Sequence, residues 1–121
     1  MAAIELRKVT KKFATADGGT FTALKDISFT VRAGEIFGIA GVAGNGQNAL
    51  LLALSGEEPN LDHAAVKVDG VEVGRMHARD RRSKGVASVP EERNGHAAVP
   101  IFSLADNAIL AARDRWGVVG A

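Results

Sequence analysis

The chain is expected to adopt an α/β fold, on three observations. Residues 35–40 form a short apolar run that leads into Gly41-Val42-Ala43-Gly44-Asn45-Gly46 and then into the leucine-rich segment 48–55, the order strand, glycine loop, helix. The residues before this unit alternate apolar and polar side chains, as strands of an antiparallel sheet do. After it, Ala65-Val66-Lys67-Val68 and Val71-Glu72-Val73 flank Asp69-Gly70, a two-residue hairpin signal.

Taken in order, Ile4-Glu5-Leu6-Arg7-Lys8-Val9 reads as a half-buried strand with Phe13 shortly beyond it, and Asp17-Gly18-Gly19 reverses the chain. Residues 23–31 supply the second strand, with Ile27, Phe29 and Val31 on one face, and Ala33-Gly34 turns it toward the run 35–40, which reads as a buried strand. The helix 48–55 stops at Gly56, a residue free to take the left-handed conformation of a C-terminal cap, and Pro59-Asn60 continues as loop. Arg75 to Lys84 is basic and partly helical, and reads as a solvated helix face: it contains an acid and no interleaved aromatics, unlike a nucleic-acid grip. Gly85 ends it, and Val86-Ala87-Ser88-Val89 reads as a strand closing at Pro90. Glu91-Glu92-Arg93-Asn94-Gly95 is then an exposed loop, and Ser103 is the N-cap of a helix over 104–113. Trp116 either packs back on that helix or meets a partner.

At 121 residues and 46% hydrophobic content the chain suits one domain, or part of one. A net charge of +1 makes any anion affinity local and argues against a general nucleic-acid binder. With no cysteine, disulfides, thiolate zinc sites and cysteine nucleophiles are excluded, and a cytosolic setting is the simple expectation. His63, His77 and His96 stand at no metal-ligand spacing, so no metal site is expected. The longest apolar run, around Leu50 to Leu54, is too short to cross a bilayer, and the charged first residues lack a signal-peptide core.

The chemistry is concentrated in the glycine loop. Gly41, Gly44 and Gly46 allow successive N–H groups to converge on an anion beside a helix N-terminus, whose unpaired amides and dipole attract phosphate. Gln47 stands where a phosphate-binding loop carries its lysine, and Asn48 where it carries the hydroxyl that holds magnesium. Gln47 can still donate a neutral hydrogen bond to a phosphate oxygen, roughly half as strong as a charge-assisted one. Weak nucleotide binding with impaired chemistry follows. The alternative is a glycine-rich turn that binds nothing.

This order of elements resembles the nucleotide-binding subunit of ATP-binding cassette transporters, most closely the second, degenerate cassette of importers for simple sugars and nucleosides. Residues 23–35 are similar to the family's strand and turn before the phosphate loop, 38–56 to the lysine-free loop of those second cassettes, and 85–110 to their glutamate-containing Q-loop region. The resemblance implies an N-terminal half cassette: a β unit over 1–34, phosphate-loop strand and helix over 35–56, strands leading to the Q-loop over 65–90, and the Q-loop with the start of a helical subdomain over 91–121. It implies ATP as the ligand, held by Gly41, Val42, Ala43, Gly44, Asn45, Gly46, Gln47, Asn48 and Ala49, with magnesium doubtful. Phe13 would be the aromatic that stacks on adenine, with Phe21 its competitor, and Glu91 would take the Q-loop position. The implied partners are the remainder of the cassette, a second cassette and membrane permease subunits. The implied place is the cytoplasmic face of the membrane, without insertion.

The chain departs from the family in ending at Ala121 with no signature motif, Walker B carboxylates or switch histidine after the Q-loop, so its core sheet is expected to be incomplete and the polypeptide inactive as an ATPase. Two other readings compete. Gly44-Asn45-Gly46-Gln47-Asn48-Ala49 also fits a G-x-G-x-x-A dinucleotide fingerprint with Asp69 downstream, although a Rossmann unit would not be preceded by strands and followed by a hairpin. A non-catalytic scaffold or fragment without nucleotide binding would instead show open sheet edges and bare apolar surface.

Overall fold

In a computed structural model the described residues are 2–59, 61–92 and 94–116, with the side chains of 114–116 left aside. Two long antiparallel strands, β1 (Ala2–Ala14) and β2 (Thr20–Arg32), form a hairpin that extends the expected strands at both ends. Its turn is closed by the Thr15 amide donating to the Gly19 carbonyl at 2.9 Å and the Gly18 amide to the Thr15 carbonyl at 3.0 Å. The Asp17 carboxylate accepts from the Thr15 hydroxyl and from the Gly19 amide, and these bonds hold its pKa below the ordinary carboxylate value.

Strict alternation along β1 would put Leu6 and Lys8 on the core face and Val9 outside. The structure slips one residue instead: Lys8 takes a positive φ of 47°, the ladder register shifts between Leu6 and Val9, and Val9, Lys11 and Phe13 then point inward behind Leu6. Asp26 does the same on β2 with φ 50°. Two hydroxyls satisfy the displaced amides, Ser28 Oγ accepting from the Lys8 N–H at 2.8 Å and Thr10 Oγ1 from the Asp26 N–H at 3.1 Å.

On the other edge of β1 lie β3 (Val66–Val68) and β4 (Val71–Glu72), giving the antiparallel order β2-β1-β3-β4. Asp69 and Gly70 both have positive φ, 47° and 79°, the signature of the type I′ turn that the Asp-Gly pair favours. Against this sheet packs α1 (Gln47–Ser55), which buries Ala49, Leu50 and Ala53 among Leu6, Val9, Leu24, Leu61, Val66, Val68 and Val73. The spacing of those three helix residues makes one narrow apolar stripe, and two alanines let the helix lie close.

The C-terminus of α1 is closed from two sides. Gly56 takes a left-handed φ of 86° and its N–H returns to the Leu52 carbonyl at 3.2 Å. The next two carbonyls, of Ala53 and Leu54, accept from the Arg81 guanidinium, which also donates to Met76 and Gly74 carbonyls. Arg81 lies on α2 (Ala78–Ser83) and is fully buried. The basic stretch 75–84 was expected to be a solvated face; Arg79 and Arg82 are exposed, but Arg81 turns inward because the orphan carbonyls at a helix end offer a cation what water would.

Ser103 caps α3 (Leu104–Trp116) as expected, its hydroxyl accepting from the Asp106 N–H at 3.1 Å while donating to the Asp106 carboxylate at 2.7 Å. Asn107 ties the preceding loop to this helix through Val99, donating to its carbonyl and accepting from its amide. Ser103→Ala is expected to cost about 1 kcal/mol, read as a lower denaturant midpoint with the slope unchanged.

Two expected strands do not form. Residues 35–40 are irregular, and Ile36 is 99% exposed. An apolar strand of this kind is stable only between hydrogen-bonded neighbours with cover on both faces, and the four-stranded sheet offers it neither. Phe37 anchors it, stacked on Phe29 with ring centroids 4.8 Å apart. Residues 86–89 are likewise irregular and Val89 is exposed, for the same want of strand neighbours. Asn60, Arg93 and the Trp116 side chain lie outside what is described.

Candidate functional site

The glycine loop is placed by its two ends. On one side, Phe37 rests on Phe29 of β2. On the other, Gly46 sits so close to β2 that a β-carbon there would lie 2.5 Å from the Ala23 carbonyl oxygen and 3.2 Å from the Leu24 side chain. Gly46 also has φ 99°, so glycine is required for both space and conformation. It is the N-cap of α1, its carbonyl accepting from the Leu50 N–H at 2.9 Å. No side chain caps this helix. By helical geometry the N–H groups of Gln47, Asn48 and Ala49 lack an acceptor one turn back, and they open beside a loop in which Gly44 also has a positive φ of 89°. Backbone of this kind can receive an anion.

The structure therefore brings Gly41, Val42, Ala43, Gly44, Asn45, Gly46, Gln47, Asn48 and Ala49 together at one helix terminus. Within the set, Ala49 is buried in the core and serves packing, while Asn48 is exposed. Gln47 does not reach outward, as a lysine at this position would be free to do. Its Nε2 donates to the Val42 carbonyl at 2.9 Å and its Oε1 accepts from the Asn45 N–H at 3.1 Å, so the carboxamide spans the loop.

Phe13 pairs with Phe21 across the β1–β2 ladder, two positions along β2 from the Ala23 that touches Gly46. Its half-buried ring packs against the core, and Lys11 Nζ stands 5.6 Å from its centroid. Phe21 is mostly exposed. Lys11 escaped the reading of the sequence: it is buried, its ammonium 2.9 Å from Glu58 Oε2, and its place in the inward phase after the β1 bulge is the signal that could have found it. Glu91 lies in an exposed bend after Pro90, and among the described residues no hydrogen bond or ion pair joins it to the loop.

A cleft of about 530 Å³ opens elsewhere, lined in part by Arg82, Val86, His96, Val99 and Leu110. It contains none of the loop residues, and it lies along 86–90, where a strand was expected. His96 faces Glu57 there, Nε2 to Oε2 at 2.8 Å. Among the described residues no three His, Asp or Glu side chains are grouped closely enough to hold a metal ion, and no helix is long and apolar enough to cross a membrane.

Comparison with known proteins gives the family. The chain is 40% identical over 93 residues to the ribose import ATP-binding protein RbsA 1 of Rubrobacter xylanophilus, a match covering 77% of this chain and 18% of that protein. It is 37% identical over 95 residues to the xylose import ATP-binding protein XylG of Burkholderia cenocepacia, covering 78% and 18%, and 38% identical over 86 residues to XylG of Ralstonia nicotianae, covering 71% and 17%. The match thus spans less than a fifth of the length of these relatives. No solved structure gives a significant match. The family model described as ABC transporter matches residues 24–117, from the strand beside the glycine loop through α3, and the chain belongs to that family.

Proposed function

We propose that this chain contributes a degenerate ATP site to an importer of simple sugars or nucleosides, as part of a second cassette. The observation that carries the reading is the uncapped N-terminus of α1 behind a loop with two left-handed glycines, within the stretch that the family model matches. The relatives are ribose and xylose import ATP-binding proteins, which favours a simple sugar as the solute. ATP would be held by the loop amides and the helix dipole. Gln47 and Asn48 bring no charge to it, so neutralisation of a transferring phosphoryl group would fall to other parts of an assembled transporter. Glu91 would take the Q-loop role and face a permease, and Phe13 would stack on the adenine. Partner cassette, permease and a place at the inner membrane face belong to the same proposal.

Equilibrium binding of fluorescent ATP and NADH, with and without magnesium, tests it. Micromolar to millimolar ATP binding is expected, weakened at least about tenfold by a carboxylate in the cradle. Gly46→Asp supplies one; Asn45→Asp, at an exposed position, supplies it without steric insertion. ATP turnover by the 121-residue polypeptide should not exceed the buffer blank. NADH preference would restore the dinucleotide reading.

A second reading, a packing element without nucleotide binding, is favoured by the exposure of Ile36, Val42, Val89, Ile101 and Leu104. Folded chain that binds neither ligand would decide for it.

A further inference from the structure

We propose that Gln47 gates the phosphate cradle: its carboxamide closes the loop on itself, and a polyphosphate enters only when that side chain turns away. The inference rests on the nucleotide-site reading above and concerns how that site is controlled. One amide group makes two bonds to the loop, donating from Nε2 to the Val42 carbonyl at 2.9 Å and accepting at Oε1 from the Asn45 N–H at 3.1 Å. It also lies against Gly41, where a β-carbon would come 2.6 Å from Nε2 and 3.6 Å from the carboxamide carbon. Gln47 therefore touches Gly41, Val42 and Asn45 at once, and the Asn45 amide it engages is among the donors a bound phosphate would need.

The residue types explain why glutamine can do this. A carboxamide presents donor and acceptor on one planar group, so it can satisfy a carbonyl and an amide of the same loop together, whereas an ammonium can serve only the carbonyl. Gly41 leaves the room for it. A ligand must break both bonds and then finds no cation in exchange, so the closed loop competes with every phosphate that approaches. The substitution thus acts as a competitor, beyond removing a charge.

The test is titration of wild type and Gln47→Ala with tripolyphosphate and with ATP, paired with amide hydrogen exchange at Asn45 by NMR. Tripolyphosphate carries no base, so it isolates the cradle from any adenine contact. The expected result is affinity about tenfold tighter in Gln47→Ala, equivalent to about 1.4 kcal/mol, with faster exchange of the Asn45 amide in the free variant. Weaker or unchanged affinity in Gln47→Ala, with binding by wild type intact, would make Gln47 a ligand or a bystander and overturn the gate alone. Unchanged Asn45 exchange would overturn it too. If neither folded chain binds tripolyphosphate or ATP, the nucleotide-site reading fails and the gate falls with it.

Discussion

Arg81→Met is expected to destabilise the fold by about 3–5 kcal/mol, the scale of a broken buried charge network. Methionine keeps most of the volume and removes every donor. The four carbonyls now served by the guanidinium, of Ala53, Leu54, Gly74 and Met76, would then be left without it. Two of them end α1, where the helix has no further turn to supply N–H groups and the dipole is negative. Arg81 has no carboxylate among these partners, and burial pulls its pKa down from the ordinary guanidinium range. Its contribution therefore comes from carbonyl dipoles held in fixed positions, which salt screens poorly. In a thermal melt the midpoint should fall by about 10–20 °C, with little recovery in 1 M salt. Arg81→Lys should recover only part, because one ammonium cannot span carbonyls from α1 and from residues 74–76. A midpoint within a few degrees of wild type for Arg81→Met would show that water satisfies these carbonyls and that the guanidinium is incidental.

Arg81 also marks the limit of what the sequence makes legible. Local signals were read well. Asp69-Gly70 specified its turn, Gly56 its left-handed cap, Ser103 its N-cap and the alternation of 27–31 its inward face, because each depends on backbone conformation or periodicity within a few residues. The turn at Gly44 and Gly46, both with positive φ, is local in the same sense and leads directly into α1. What escaped depends on distant partners. One of four basic residues in 79–84 is buried, and only the arrival of the α1 C-terminus decides which. Lys11 turned inward because a bulge at Lys8 changed the phase of β1. The runs 35–40 and 86–89 have the composition of buried strands, yet a strand needs neighbours, and composition does not report whether they are present. Gln47 stood out in the sequence by position alone, and its inward turn depended on the room at Gly41.

Gly74→Ala is expected to match the arginine variant in size for a different reason. Gly74 follows Val73 where the chain crosses the turn at 62–63, and its N–H donates to the His63 carbonyl at 3.1 Å. A β-carbon at 74 would overlap the Asp62 carbonyl oxygen, and would lie 2.9 Å from the Asp62 carbonyl carbon and 3.0 Å from the His63 oxygen. All three atoms are backbone, so no side-chain rotation relieves the overlap. The chain must separate there, which pulls on fully buried Val73 and on the 3₁₀ turn His63–Ala65. Overpacking of a well-filled site costs about 1–3 kcal/mol, and backbone displacement places this variant at or above the upper figure. The Gly74 carbonyl is also an acceptor for Arg81 at 3.2 Å, so the two substitutions act on one joint. Gly74→Ala combined with Arg81→Met should then lose less than the sum of the two, by about 0.5–3 kcal/mol in a double-mutant cycle. Full additivity would mean that the 62–74 crossing and the α1 cap hold the fold independently, and a near-neutral Gly74→Ala would mean that residues 62–63 move aside at little cost.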